Sequence, residues 1–223
     1  MCGRFAITLP SDAMAQLFGA APDNDLPEVP NFNVCPTNPV HVVRGADGDH
    51  GRRLVAMRWG FLPSWYDSPN AGPLLINARG ETLAEKPAFR AAARARRCVI
   101  PADGFYEWTK DSAGARLPWY IRPRAGGVMA LAGIWQRWER GDEAIDTCAI
   151  VTCAANQAIA RLHDRMPVIL APEDWPLWLG EAGHGAARLV VPAPEDALEC
   201  WRVDPAVNSS RASGPALVAP LGV

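Results

Sequence analysis

Apolar and polar positions change over in short runs along most of this chain, and helical periodicity is confined to a few stretches. Residues 2–8 read as a strand. Ser11 and Asp12 are N-cap candidates for a helix over 11–19, with Met14, Leu17 and Phe18 at helical spacing. Residues 31–36 look extended, and the apolar runs 40–44 and 53–59 flank a turn at 45–51, which predicts a hairpin. An irregular loop over 63–73 holds three prolines, a glycine and the pair Trp65-Tyr66. Leu74-Leu75-Ile76-Asn77 predicts a short buried strand ending in a polar residue. A helix is expected over 80–96, capped at Thr82, interrupted at Pro87 and flanked by Arg90, Arg94, Arg96 and Arg97. Strands follow at 98–101 and 105–108, then a turn at 111–115 and a return strand at 118–121. Further strands at 128–138 and 146–152 are joined through 140–143; a short helix covers 156–162 and a loop-to-strand run 163–170. A helix at 172–180 sets Trp175 and Trp178 on one side, and the tail is a strand through 203, a polar loop at 208–213 and a last apolar run at 217–220. Many short strands with few helices predict an α+β fold with a mainly antiparallel, barrel-like sheet. No internal repeat or long linker divides residues 1–223, so one domain is expected.

Composition narrows the class. A hydrophobic fraction of 49% supplies a core without disulfides, and 21% charged residues with a net charge of −2 argue against disorder. No apolar run approaches the ~18 residues of a membrane span and no signal-peptide pattern opens the chain, so a soluble cytoplasmic protein is expected. The six cysteines form no C-x-x-C pair and the four histidines lack zinc-ligand spacing, so no metal is expected. A pI near 6.1 excludes a general nucleic-acid binder. The 22 basic residues include Lys only at 86 and 110. That excess of Arg suits phosphate contact or follows from biased composition, and any nucleic-acid site must be a local cleft.

Cys2 follows the initiator Met and is small enough for Met1 removal. The new terminus would carry an amine and a thiol on adjacent carbons, with ordinary pKa values of about 7.7–8.0 and about 8.5. That pair traps aldehydes as a thiazolidine, or the thiol attacks acyl groups; alternatively Cys2 is incidental on a frayed end. Asn77 either caps a turn or orients a reacting group. Strand alternation points Glu107 the way Phe105 points, so it is either a buried acid/base or a solvated carboxylate. His163, beside Asp164 and Arg165, either titrates in function or is structural. Arg4 and Arg79 each lie two residues from a candidate, on the same face, and suit phosphate or thiolate. Trp65 and Tyr66 either stack on unpaired bases or anchor the loop.

Together these stretches resemble one family. Met1-Cys-Gly-Arg-Phe5, Asn33-Val-Cys-Pro36, Trp59-Gly-Phe-Leu-Pro63, Ile76-Asn-Ala-Arg-Gly-Glu-Thr82, Cys98-Val-Ile-Pro-Ala-Asp-Gly-Phe-Tyr-Glu-Trp108 and His163-Asp-Arg-Met-Pro167 are similar, in order, to motifs of the SRAP (SOS response-associated peptidase) proteins, which shield abasic sites in single-stranded DNA. The resemblance implies that Cys2 links covalently to the ring-opened abasic aldehyde. It implies that Glu107 is the general acid/base, that His163 helps ring opening and crosslink reversal, and that Asn77 holds the reacting group. Arg4 and Arg79 would contact phosphates, and Trp65-Tyr66 would stack or wedge. The family's peptidase activity would remove residues before the cysteine. No metal or organic cofactor is implied, the partner is abasic single-stranded DNA, and a monomer is expected. Two departures stand out: Tyr66 replaces a second tryptophan, and Ala212 replaces an asparagine common in the family, which puts a DNA contact there in doubt. The rival readings are an N-terminal-cysteine thiol peptidase or amidohydrolase and a non-covalent single-strand binder.

Overall fold

The computed structural model describes residues 2–23, 25–45 and 51–222. Strands run in the order β1 (Phe5–Ile7), β2 (Ala20–Pro22), β3 (Asn31–Val34), β4 (Pro39–Gly45), β5 (Arg52–Trp59), β6 (Asn77–Arg79) and β7 (Arg97–Ala102). They continue as β8 (Gly104–Lys110), β9 (Arg116–Pro123), β10 (Met129–Arg140), β11 (Glu143–Ala154), β12 (Arg165–Pro167), β13 (Ile169–Leu170) and β14 (Leu198–Arg202). Four short helices interrupt them in the described residues: α1 (Ser11–Phe18), α2 (Arg90–Ala95), α3 (Gln157–Ala160) and α4 (Trp175–Leu179). None is long and apolar enough to cross a membrane.

The fold is α+β, as the short alternating runs predict. Strands β5, β4, β7, β10 and β11 pair in that order, and β11 returns to β5 through Thr147↔Arg58 and Cys148↔Trp59, closing a five-stranded barrel. Closure leaves no free edges within the ring. A second sheet, β14-β9-β8-β1-β3, is antiparallel throughout. Alternation divides its side chains between two cores. Phe5, Ile7, Phe105 and Ile121 join the large core with the barrel, where Phe5 meets Trp59 at a ring distance of 5.1 Å. Ala6, Tyr106 and Tyr120 face the other way, onto Val203, Val207 and Leu217. Gly104 must be glycine, because a Cβ there would stand 2.3 Å from the Tyr120 ring and 2.6 Å from the Ile121 carbonyl oxygen.

Several sequence expectations change. Residues 74–77 do not form a strand: Leu75 makes a single bridge to Phe61, Leu74 is 49% exposed, and the ladder starts at Asn77. The cause is competition for one edge of β11. β5 occupies it at Thr147 and Cys148, and Gly60 N–H donates to the Cys148 carbonyl, so β6 can pair only from Ile150 to Thr152. The helix over 80–96 reduces to a 3-10 turn, Gly80–Thr82, and α2, since Pro87 lacks an N–H and disfavours helix before it. Ser11 does not cap α1; its hydroxyl faces His41 Nε2 at 3.1 Å, and the helix ends at Gly19 in the left-handed region. The helix at 172–180 splits into a 3-10 turn, Pro172–Asp174, and α4. The predicted turn at 45–51 lies, for residues 46–50, outside the described residues, as does Met1.

Candidate active site

Cys2 is fully buried at the start of the chain segment that becomes β1. Two strands fix its neighbours. β1 lies antiparallel on β8, with Phe5 opposite Phe105 and Tyr106 N–H donating to the Arg4 carbonyl at 3.0 Å. Continuing that register sets Gly3 beside Glu107. From the other direction, β6 lies parallel on β11 with Asn77 opposite Ile150, and Asn77 Nδ2 donates to the Cys2 carbonyl at 2.9 Å. The other amide atom of that side chain, Oδ1, is buried and has no hydrogen-bond partner among the described residues. A buried acceptor left in this state costs about 1–3 kcal/mol, so it marks a place where a donor is expected.

Glu107 is 2% exposed and lies on the Phe105 side of β8, which settles its orientation. Burial raises its carboxyl above the usual range, against smaller opposing effects led by the chain's N-terminal charge, with His163 a lesser one. Burial also pushes the Cys2 thiol far up, with the Glu107 carboxylate adding to the effect. The resting thiol is therefore protonated and needs a base beside it. His163 is half-buried at the end of the turn after α3. Its Nδ1 lies 2.9 Å from Arg165 N–H and 2.8 Å from an Asp164 carboxylate oxygen. As acceptor from Arg165, Nδ1 is bare and the ring carries its proton on Nε2; as donor to Asp164, Nδ1 carries a proton itself. Each arrangement has a local partner.

Gly3, Arg4, Glu107, Trp108, Arg116, His163 and Asn208 line one cleft of about 310 Å³. It brings together three sequence candidates, Arg4, Glu107 and His163, beside Gly3, the residue after buried Cys2. Arg4 is spoken for: its guanidinium donates to Asn33 Oδ1 at 2.7 Å, to the Val207 carbonyl at 2.8 Å and to the Asn208 carbonyl at 3.4 Å. Asn33 in turn donates to the carbonyls of Ser209 and Ala212. The two residues clamp the 207–212 loop as a wall of the cleft. Ala212 takes part through its backbone, where side-chain identity is immaterial. Arg79 is exposed on β6, two residues beyond Asn77, and makes no ion pair among the described residues. Neighbouring Arg165 is committed to Glu81, at 2.7 and 2.8 Å, and to the Thr152 carbonyl.

Trp65 is 53% exposed on the loop that leaves Phe61 and returns two residues before Asn77. Tyr66 packs edge-on against it at 6.5 Å, and its hydroxyl donates to the Pro73 carbonyl at 3.3 Å. The indole of Trp138 donates to the Tyr66 carbonyl, so the loop's base is anchored while Trp65 stands out. Sequence reasoning missed Arg116, Trp108 and Asn208 as lining residues. Arg116 was within reach: the hairpin pairs Trp108 with Pro118, which makes Arg116 its diagonal neighbour on the same face. No three His, Cys, Asp or Glu side chains gather as metal ligands among the described residues.

The fold and cleft define a class of barrel proteins in which a buried cysteine just before the first strand adjoins a cleft lined by a carboxylate, an amide and an imidazole. The chain belongs to the SRAP family: the family model described as SOS response associated peptidase (SRAP) matches residues 1–210. It is 35% identical to Abasic site processing protein YoqW of Bacillus subtilis, over 98% of this chain and 99% of that protein. It is 33% identical to Abasic site processing protein YedK of Escherichia coli (99% and 100%) and 30% identical to Abasic site processing protein HMCES of Mus musculus (99% and 76%). A crystal structure from Bacteroides thetaiotaomicron has the same fold, with a TM-score of 0.86 at 24% identity over 99% of this chain and 100% of that one.

Proposed function

We propose that this protein processes abasic sites in single-stranded DNA by forming a thiazolidine crosslink through Cys2 once Met1 is removed. The observation that carries the reading is the Asn77–Cys2 pair: one amide atom grips the Cys2 carbonyl, and the other is a buried acceptor without a partner among the described residues. The freed α-amine of Cys2 supplies that donor, which holds its lone pair toward the cleft.

The chemistry then follows from the lining. His163 and Glu107 move the proton that opens the hemiacetal sugar to its aldehyde. The amine nitrogen adds to the aldehyde carbon, and the carbinolamine loses its hydroxyl as water with a proton from Glu107. That leaves a protonated imine, whose carbon accepts the Cys2 sulfur while the S–H proton returns to Glu107, so the ring nitrogen keeps its own N–H and the carboxyl is restored. The balance is aldehyde plus cysteine giving thiazolidine plus one water, with no redox step. A raised carboxyl pKa suits Glu107 to both halves, since it is acidic enough to donate and basic enough to take a thiol proton. The same transfers in reverse release the DNA. Self-removal of Met1 uses the Cys2 thiol on the Met1 carbonyl: Glu107 takes the thiol proton and passes it to the leaving Cys2 nitrogen as the amide bond breaks, and water then hydrolyses the thioester to release methionine.

The test is Cys2→Ser with and without borohydride. The parent adduct needs no reductant. The serine variant keeps the amine, and its imine survives denaturation only after reduction. A Cys2→Ser adduct as durable as the parent's without borohydride would defeat the thiazolidine step.

A further inference from the structure

We infer that Arg116, stacked on Trp108 and joined by the Asn208 side-chain amide, forms a phosphate subsite on the cleft wall. The inference rests on the reading that the cleft takes single-stranded DNA. Three observations carry it. The Arg116 guanidinium lies 4.9 Å from the Trp108 ring centre, and both line the cleft with Glu107 and His163. Arg116 is exposed, and although its backbone pairs with Lys110 in the β8–β9 ladder, its guanidinium makes no hydrogen bond or ion pair among the described residues, so its donors are open. The Trp108 indole N–H donates to Asn208 Oδ1 at 2.7 Å, which fixes the amide and leaves its Nδ2 to donate outward.

Contrast with Arg4 sharpens the assignment. Arg4 lines the same cleft, but its guanidinium is held by one side-chain and two main-chain oxygens of the clamp. A phosphate would have to displace those bonds to reach it. Arg116 offers a full charge with nothing to displace, and stacking on an indole orders the planar fork before the ligand arrives. The only carboxylate in the lining is Glu107, whose raised pKa lessens its charge there. A phosphodiester of the strand beside the abasic sugar fits this wall: two anionic oxygens, a guanidinium fork and an amide N–H. Trp108 would then support the cation and would not itself need to stack on a base.

The experiment measures binding of an intact single-stranded oligonucleotide, lacking any abasic site, by fluorescence anisotropy across a salt series. Parent, Arg116→Gln and Arg116→Lys are compared. Crosslinking rates at saturating abasic oligonucleotide are read in parallel. Arg116→Gln is expected to weaken binding roughly five-fold at moderate salt and to flatten the log K against log salt slope by about 0.7, the value for one phosphate on a single strand. The crosslinking rate at saturation stays at the parent value. Arg116→Lys restores the slope but only part of the affinity, because the stacked fork is lost. An unchanged slope and affinity in Arg116→Gln overturns the subsite. So does a lower saturating rate with unchanged binding, which would make Arg116 part of the chemistry. A parent that binds intact strands with the expected slope loss in Arg116→Gln, but never forms an adduct, leaves the subsite standing and defeats the crosslinking reading.

Discussion

Replacing Asn33 with Ala removes the centre of the clamp on the cleft wall. Asn33 is 6% exposed and its side chain makes three N–H···O hydrogen bonds, one accepted from Arg4 at 2.7 Å and two donated to the Ser209 and Ala212 carbonyls at 3.0 and 2.9 Å, besides a long contact from the Cys35 thiol at 3.9 Å. Neutral bonds of this kind contribute about 1 kcal/mol net, and a charged one somewhat more. Arg4 keeps its bonds to Val207 and Asn208, and water entering the gap recovers part of the loss. The expected cost is about 2–3 kcal/mol. For a chain of this size each kcal/mol moves the melting temperature by about 2–4 °C, so calorimetry should give a fall of roughly 5–10 °C. The loosened loop carries Asn208, so binding of single-stranded DNA should weaken as well. Asn33→Asp separates the two halves of the clamp, because it keeps an acceptor for Arg4 but sets a carboxylate against two carbonyls. It should lose as much loop order as Ala while holding Arg4. A melting temperature within about 1 °C of the parent for Asn33→Ala would refute the reasoning, since three bonds at a buried amide would then contribute nothing net.

Glu107→Gln should slow crosslinking about 10²- to 10⁴-fold, as loss of a general acid/base does. It also has a stability signature. Burial raises the Glu107 pKa, so the folded state holds the proton more firmly than the unfolded chain, and the parent loses stability as pH rises through that raised value. The variant does not, so its melting temperature should gain on the parent's as pH rises above the ordinary carboxylate value of about 4.3. His41 runs the other way: buried at 2% exposure, its pKa falls to about 4. Its contribution is present above the ordinary value of about 6.5 and is lost as pH falls toward about 4, so His41→Gln should flatten the acid limb of a pH–melting curve. Trp65→Ala should weaken binding of abasic single strands by about 1–3 kcal/mol with the melting temperature unchanged, because the ring is half exposed and its loop is anchored elsewhere.

What the sequence makes legible follows the range of the interactions involved. Alternation in β8 puts Glu107 on the Phe105 side, because a two-residue period survives wherever a real strand forms. The closing pair of the barrel is not legible, since the parallel contact of β5 with β11 joins residues almost ninety apart and leaves no local mark. Asn77 illustrates both limits. Its place at the end of an apolar run is visible, but the strand forms after it and not before, because β5 already holds the upstream edge of β11. The contact between Asn77 and Cys2 depends on that shifted pairing. Arg4 shows the same limit: alternation puts it on the cleft side, but the bonds of its guanidinium to a loop some two hundred residues away leave no local mark. Arg116 could be reached by counting across the 111–115 turn, and its stack on Trp108 is the product of that register.

The central claim is a covalent bond between the N-terminal cysteine and an abasic site. Intact-mass spectrometry after incubation with a single-stranded oligonucleotide bearing one abasic site tests it directly, and the same spectrum reports whether Met1 is gone. The account predicts a species equal to des-Met protein plus oligonucleotide minus one water, absent with intact DNA and absent in Cys2→Ala. A des-Met protein that gives no adduct, or an adduct that persists in Cys2→Ala, would contradict it.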